Sequence, residues 1–269
     1  MATWKCRQFN LDLARTLVMG IVNVTPDSFS DGGLYFKPGE AVARARNCVS
    51  EGADLIDLGG ESTRPGAAPI VWQLEWSRLE PVLKQLAREL PDVPVSVDTY
   101  HPETAQRALD LGTAVINCVY AEPVPEMVKL AKKTGCGLIA PLRLEDLGDG
   151  DDDGLDALFG GVRDQLMIDP MIGFGTTREQ DMALLGSLRR LAAHAPVCVG
   201  VSRKRLIKKL TGGKTTGKNL GGSVGAAVWC AMNGASVLRV HDVQETKQAL
   251  ETVRLLAQLS GGQSWTGTV

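Results

Sequence analysis

Short, almost continuously apolar runs recur along the chain, at 17–24, 54–60, 93–99, 114–119, 137–142, 166–170, 197–203 and 236–242. They are rich in Val, Ile and Leu and lack an alternating polar face, which predicts parallel strands covered on both sides. Between most of them the apolar positions repeat with a helical period, at 39–51, 73–90, 102–111, 124–134, 179–193, 221–233 and 244–259. Several helical stretches end in the same way, in EGAD, LGTA, KTGC and NGAS. The glycine suits a left-handed helix C-cap, after which the chain enters the next strand. Eight strands alternating with helices in 269 residues predict an α/β protein, a single (β/α)8 TIM barrel spanning 1–269. Residues 1–16 are expected to cap it, and the Gly/Ser-rich 260–269 to form a loose tail. An open doubly wound sheet is the alternative, but it would carry a Gly-rich phosphate loop after its first strand, and MGIVNVTPDSFSDGG does not fit one.

In such a barrel the chemistry gathers at the C-terminal ends of the strands. Those ends read Asn23, Asp57, Asp98, Asn117, Asp169, Ser202 with Lys204, and Arg239 with His241. Seven of the eight are polar or ionisable while the strand starts are mostly apolar, which describes a pocket at one end. Period two places Arg239 and His241 on one side of their strand, and likewise Ser202 and Lys204. The loops at 23–33 and 59–67 add hydroxyls, backbone N–H groups, Asp27, Asp31 and Arg64, a set able to grip an anion such as phosphate. Salt bridges that merely stabilise the barrel mouth explain any one of these residues, but not the set.

Composition narrows the classes. Lys and Arg number 29 against 31 Asp and Glu, so the broad positive footprint of a nucleic-acid binder is absent and none is expected as a partner. No uncharged run approaches the ~20 residues of a membrane span. Asp12 and Arg15 interrupt what would be the apolar core of a leader. Six cysteines are scattered singly, without a Cys-x-x-Cys pair, so neither a disulfide framework nor a zinc site is expected. These features lead us to expect a cytoplasmic protein. The acidic DGDDDG at 149–154 matches half of a calcium loop, but Gly160 stands where a bidentate Glu is required, so a solvated loop is the expectation. Trp72, Trp76 and Trp229 fall on outer helices as packing residues, and Lys208 and Lys209 are expected to face solvent.

The stretches MGIVNVTPDSFSDGG, IDLGGESTRPGA, VSVDT, the Ile-Asn at 116–117, IDPMIGFG, GVSRK and LRVHDV, in this order between about residues 17 and 255, together resemble the dihydropteroate synthases of folate biosynthesis. The resemblance implies condensation of (7,8-dihydropterin-6-yl)methyl diphosphate with 4-aminobenzoate, giving 7,8-dihydropteroate and diphosphate. It implies Mg²⁺ near Asn23, a homodimer and, through Thr63, Pro65 and Ser202, the surface by which the family is a sulfonamide target. It assigns the pterin diphosphate to Asn23, Asp57, Thr63, Arg64, Asp98, Asn117, Asp169, Phe174, Lys204, Arg239 and His241. Of these, Asp98, Asn117, Asp169, Lys204, Arg239 and His241 form the catalytic set. Phe29, Pro65 and Ser202, with Thr63, are assigned to 4-aminobenzoate. The assignments make chemical sense: a carboxylate such as Asp169 accepts two adjacent ring donors, and Lys204 can neutralise it.

The chain departs from the family pattern at Cys118, Pro141, Met171 and Thr176, and in a short crossover at 143–165, which requires a short or irregular fifth helix. Two other readings stay open, the first on these departures and the second on a similar barrel with a similar Asp/Asn grip on a pterin. One is a pterin-binding paralogue with lost or altered chemistry. The other is a methyltetrahydrofolate corrinoid methyltransferase, disfavoured because methyl transfer has no diphosphate to hold.

Overall fold

Alternation along the barrel strands sets up two layers in the barrel interior, one apolar and one polar. In the computed structural model, which describes residues 3–25, 38–62, 67–147, 152–212 and 219–259, eight parallel strands close into a barrel. They are β3 (Leu17–Asn23), β4 (Leu55–Gly59), β5 (Val95–Asp98), β6 (Val115–Asn117), β7 (Gly137–Pro141), β8 (Leu166–Asp169), β9 (Val197–Val199) and β10 (Ala235–Val240). They follow one another in chain order, and β10 pairs with β3 to complete the ring. The helices are α1 (Pro38–Ser50), α2 (Trp72–Glu89), α3 (Pro102–Asp110), α4 (Val124–Thr134), α5 (Asp152–Phe159), α6 (Arg178–Gly186), α7 (Leu188–Ala192), α8 (Arg205–Leu210), α9 (Leu220–Met232) and α10 (Val243–Leu259). Their apolar faces and the outward residues of the strands form the larger core. The glycines of the four repeated helix ends, Gly52, Gly112, Gly135 and Gly234, all adopt positive φ, as a left-handed cap requires.

Leu55, Val115, Met167 and Val237 lie in a second apolar cluster with Leu17, Met19, Ile139 and Cys198. Two residues on along the same strands stand Asp57, Asn117, Asp169 and Arg239. Side chains two apart share a face, so each strand contributes an apolar residue to the lower layer and a polar one directly above it. The lower end is closed by an antiparallel hairpin, β1 (Thr3–Cys6) and β2 (Phe9–Asp12). Its Trp4 is buried in the lower cluster and donates its indole N–H to Gln165 O at 2.7 Å. The plug therefore makes the barrel a dead-ended cup.

The described part of the segment between β7 and β8 contains two short 3-10 turns, at Leu144–Leu147 and Arg163–Gln165, and the eight-residue α5. This is the short fifth helix that the crossover length requires. Trp76 packs on the main core, and Lys208 and Lys209 are exposed. Trp229 departs from its expected packing role: it is 42% exposed on α9. The expected loose tail at 260–269 lies outside the described residues.

Candidate active site

The mouth of the cup holds a compact set of buried charges. Arg239 on β10 donates Nε to Asp57 Oδ2 at 2.6 Å and Nη2 to Asp98 Oδ2 at 2.5 Å. Asn117 Nδ2 donates to the same Asp57 oxygen at 3.3 Å. Asp57, Asp98, Asn117 and Asp169 are all buried. Two oxygens in this floor, Asp57 Oδ1 and Asn117 Oδ1, are buried without a hydrogen-bond partner. Buried acceptors are normally satisfied, so these two leave acceptor capacity in the floor that the described residues do not fill.

Burial dominates the titration of the site. It pushes Asp98 up, against the attraction of Arg239 and reinforced by the neighbouring charges of Asp57 and Asp169. Asp169 is also raised by burial, and Lys204 together with the Met171 N–H holds it back. Lys204 is pushed down to about 8, chiefly by burial, with Arg239 repelling it and Asp169 and Asp181 opposing. Arg239 is held fully charged by its two carboxylate partners, which outweigh its own desolvation.

Lys204 offsets the charge of Asp169, as expected, but without a direct ion pair. Its Nζ donates to Ile172 O and lies over the Phe174 ring, 4.6 Å from the centroid. Asp169 Oδ1 accepts the Met171 N–H at 2.7 Å. The two charges interact across the pocket floor without touching. A correction concerns β9, which ends at Val199 rather than 203. Ser202 and Lys204 therefore lie on a loop, where a strand's period does not apply, and Arg203 between them has φ 59°.

Above the floor opens a cavity of about 510 Å³ bordered by Asn23, Asp98, Phe174, Ser202, Lys204, Arg239 and His241. Of the expected site residues, these seven meet in one space. Asp57, Asn117 and Asp169 do not border it; Asp57 bonds Arg239, and Asn117 bonds Asp57 in turn. Ser202 Oγ lies 3.2 Å from both the backbone N and the ring Nδ1 of His241, accepting the backbone N–H. Phe29, Thr63, Arg64 and Pro65 lie outside the described residues.

The cavity also takes in residues that strand-end reading missed. Arg203 pairs with Asp242 through Nε at 3.1 Å and a second contact through Nη2. Asp181 enters from α6, and Arg205 borders both this cavity and an adjoining one of about 660 Å³ under Tyr120, Pro141 and Leu142. Glu61 anchors the chain beyond β4, accepting from Ile70 N at 3.3 Å and from the Tyr100 hydroxyl at 2.9 Å. Arg203 and Arg205, inside the basic run after β9, and Glu61, within the 59–67 loop, lay in stretches the sequence had singled out, whereas Asp181 carried no signal.

The departures from the family pattern are absorbed locally. Met171, where the pattern has glycine, takes a left-handed φ of 62° and is held there by Asp169. Cys118 directs its thiol to Tyr120 O at 3.2 Å. Pro141 ends β7 in register with Asp169.

A parallel barrel with a polar cup at the C-terminal ends of its strands is the architecture of a small-molecule enzyme. The family model described as pterin binding enzyme matches residues 19–142 and 156–241. A dihydropteroate synthase of Neisseria meningitidis serogroup C is 36% identical over 271 residues, covering 92% of this chain and 95% of that protein. The solved dihydropteroate synthase of Xanthomonas albilineans with 4-aminobenzoic acid is 38% identical with a TM-score of 0.84, covering 95% of this chain and 98% of that one. The same organism's enzyme in complex with 7,8-dihydropteroate is 36% identical with a TM-score of 0.79, covering 92% and 96%. The chain belongs to the dihydropteroate synthase family of pterin-binding barrel enzymes.

Proposed function

We propose that this protein condenses (7,8-dihydropterin-6-yl)methyl diphosphate with 4-aminobenzoate to give 7,8-dihydropteroate and diphosphate. The observation that carries the reading is the pair of unsatisfied acceptors, Asp57 Oδ1 and Asn117 Oδ1, buried in a floor of three carboxylates and two cations. A pterin edge presents adjacent N–H and NH₂ donors, and such a floor recognises donors in preference to anions. Asp98, Asn117 and Asp169 grip the ring, and Lys204 donates to its oxygen or nitrogen while Phe174 packs beside it. Arg239 keeps Nη1 free of described partners, and with His241 and Asn23 it faces the diphosphate. The C–O bond to diphosphate breaks as these cationic groups gain interaction with the departing charge. The amine nitrogen of 4-aminobenzoate, beside Ser202 and the loop residues Phe29, Thr63 and Pro65, attacks the methylene carbon and loses a proton. Thr63 and Arg64 complete the anion grip.

Among the described residues no group of three His, Cys, Asp or Glu side chains would hold a metal by itself. Asn23 borders the cavity with an amide that bonds to no described residue. This donor set fits Mg²⁺ bound mainly by diphosphate oxygens and water, with Asn23 as the protein ligand. Bound there, Mg²⁺ would neutralise charge on the leaving group.

A homodimer is supported by α9, which has no charged residue and exposes Leu220, Trp229 and Met232. Among the described residues no helix is long and apolar enough to cross a membrane, and the unpaired cysteines fit a reducing cytoplasm.

Incubating purified protein with both substrates and Mg²⁺ tests the reaction. Release of diphosphate with formation of dihydropteroate is expected, and folded protein that binds pterin without turnover would turn the reading to a paralogue that has lost its chemistry.

A further inference from the structure

Three consecutive residues, Ile172, Gly173 and Phe174, pack against the Lys204 ammonium and its stem. Nζ donates to Ile172 O and sits over the Phe174 ring. A Cβ on Gly173 would come within 3.0 Å of Lys204 Cδ. The backbone here is unusual: Met171, Gly173 and Gly175 have φ of 62°, 81° and 65°. Three left-handed residues in five do not hold themselves in place, because L side chains disfavour the conformation and glycines leave it entropically open.

Asp181 supplies the anchor. Its buried carboxylate takes two hydrogen bonds on Oδ1, from Gly173 N at 2.7 Å and from the Thr176 hydroxyl at 2.5 Å. Thr176 Oγ in turn accepts the Gly173 N–H at 3.1 Å. Asp181 stands in the first turns of α6, whose start is fixed by a capping box between Thr177 and Gln180. The chain of support therefore runs from a capped helix, through one carboxylate, to the turn, and from the turn to Lys204.

We propose that Asp181, acting with Thr176, is a positioning residue that fixes the 171–176 turn and thereby sets the place and charge of the Lys204 ammonium for the pterin. This inference deepens the reading of the site given above. It accounts for Thr176, where the family pattern has lysine: a hydroxyl both donates to Asp181 and accepts from Gly173, which an ammonium cannot do.

The charge enters separately from the bonds. Lys204 is faced by Asp169 from β8, Arg239 from β10, Cys198 from β9 and Asp181 from α6, and it acts in turn on Asp98 from β5. Asp181 is one of the groups that keep its ammonium protonated in a desolvated place.

The test uses the full-length protein with lysines labelled by carbon-13 at Cε, the Lys204 signal being assigned by its loss in K204R. In D181N the amide oxygen still accepts both hydrogen bonds but the charge is gone, so the Lys204 titration moves down by about one pH unit. In T176V the charge remains and the anchor is weakened, so Lys204 titrates nearly as in wild type, while KM for the pterin diphosphate rises by roughly tenfold. A D181N titration that superimposes on wild type overturns the proposal. Should D181N fold poorly, T176V decides, and an unchanged KM overturns it. Wild-type protein that releases no diphosphate would defeat the proposed reaction alone, because the Lys204 titration needs no turnover.

Discussion

Asp57 and Arg239 stand 182 positions apart in sequence and meet at 2.6 Å across the barrel mouth. Arg239 also binds Asp98, so one guanidinium ties β4, β5 and β10 together above the apolar layer. Its Nε and Nη2 are both engaged, and the fork geometry serves two carboxylates on neighbouring strands at once.

R239M leaves two buried carboxylates without their cation. A loss of about 3 kcal/mol in unfolding free energy at neutral pH is expected, shrinking as the pH falls and Asp98, raised by its burial, is protonated. Urea denaturation at neutral and acid pH measures both. R239K keeps the charge without the fork, and is expected to fold but to bind pterin diphosphate at least about tenfold more weakly by calorimetry.

The Lys204 ammonium, with its pKa lowered to about 8 mainly by burial, is needed in its charged form to donate to the ring. The profile of kcat/KM for the pterin substrate should therefore fall as the pH rises through about 8. Stability follows the opposite sense. The unfolded chain holds the lysine proton to higher pH than the folded one, so this group makes the ligand-free fold more stable as the pH climbs above about 8. An alkaline rise in activity would contradict the assignment.

Glu75 on α2 is wholly buried, with Oε2 accepting from the Thr99 hydroxyl at 2.8 Å and Oε1 without a partner. Burial raises its carboxyl from 4.5 to about 7, with the Thr104 and Thr99 hydroxyls opposing and the charges of Asp98 and Glu61 reinforcing it. A carboxyl raised on folding contributes stability in full below its unfolded pKa and loses it as pH rises through the folded one. E75Q keeps an acceptor for Thr99 and carries no charge. The variant should gain on wild type progressively between pH 4.5 and about 7, reaching up to about 3 kcal/mol above that window. Thermal melts across that range check the sign.

All six cysteines are buried and free. Burial pushes Cys48 and Cys118 up to about 11 and Cys230 to about 12, and raises Cys6, Cys136 and Cys198 as well. Thiolate is the reactive form. A disulfide reagent at neutral pH should leave the native protein nearly unmodified and titrate all six thiols in denaturant. No cysteine is expected to matter for turnover.

The barrel was legible because its signal is local. Eight apolar runs, each within a residue or four of an observed strand, and the glycine-capped helices between them, follow from the backbone and from burial on two faces. The hairpin β1–β2 escaped, since its four-residue strands alternate too briefly to be told from irregular chain, and their role as a plug depends on Trp4 reaching β8's entry at Gln165. The short α8 escaped for the same reason, having only six residues.

Site residues on strands were legible too, because the end of a barrel strand has a fixed place in the fold. Asn23, Asp98, Arg239 and His241 border one cavity as that rule requires. Asp181 was not legible, lying in a helix where an acidic residue ordinarily faces water.

The sequence by itself determined the repeating unit, the end of the barrel that carries chemistry and the family to which the chain belongs, because periodicity and motif are properties of neighbouring residues. Tertiary structure alone decided which charges touch. Lys204 turned to Ile172 and Phe174 rather than Asp169, and Arg239 was shared between two carboxylates. Such partnerships depend on strands and loops far apart in the chain closing to within a few ångströms, and on burial that makes each unsatisfied charge costly.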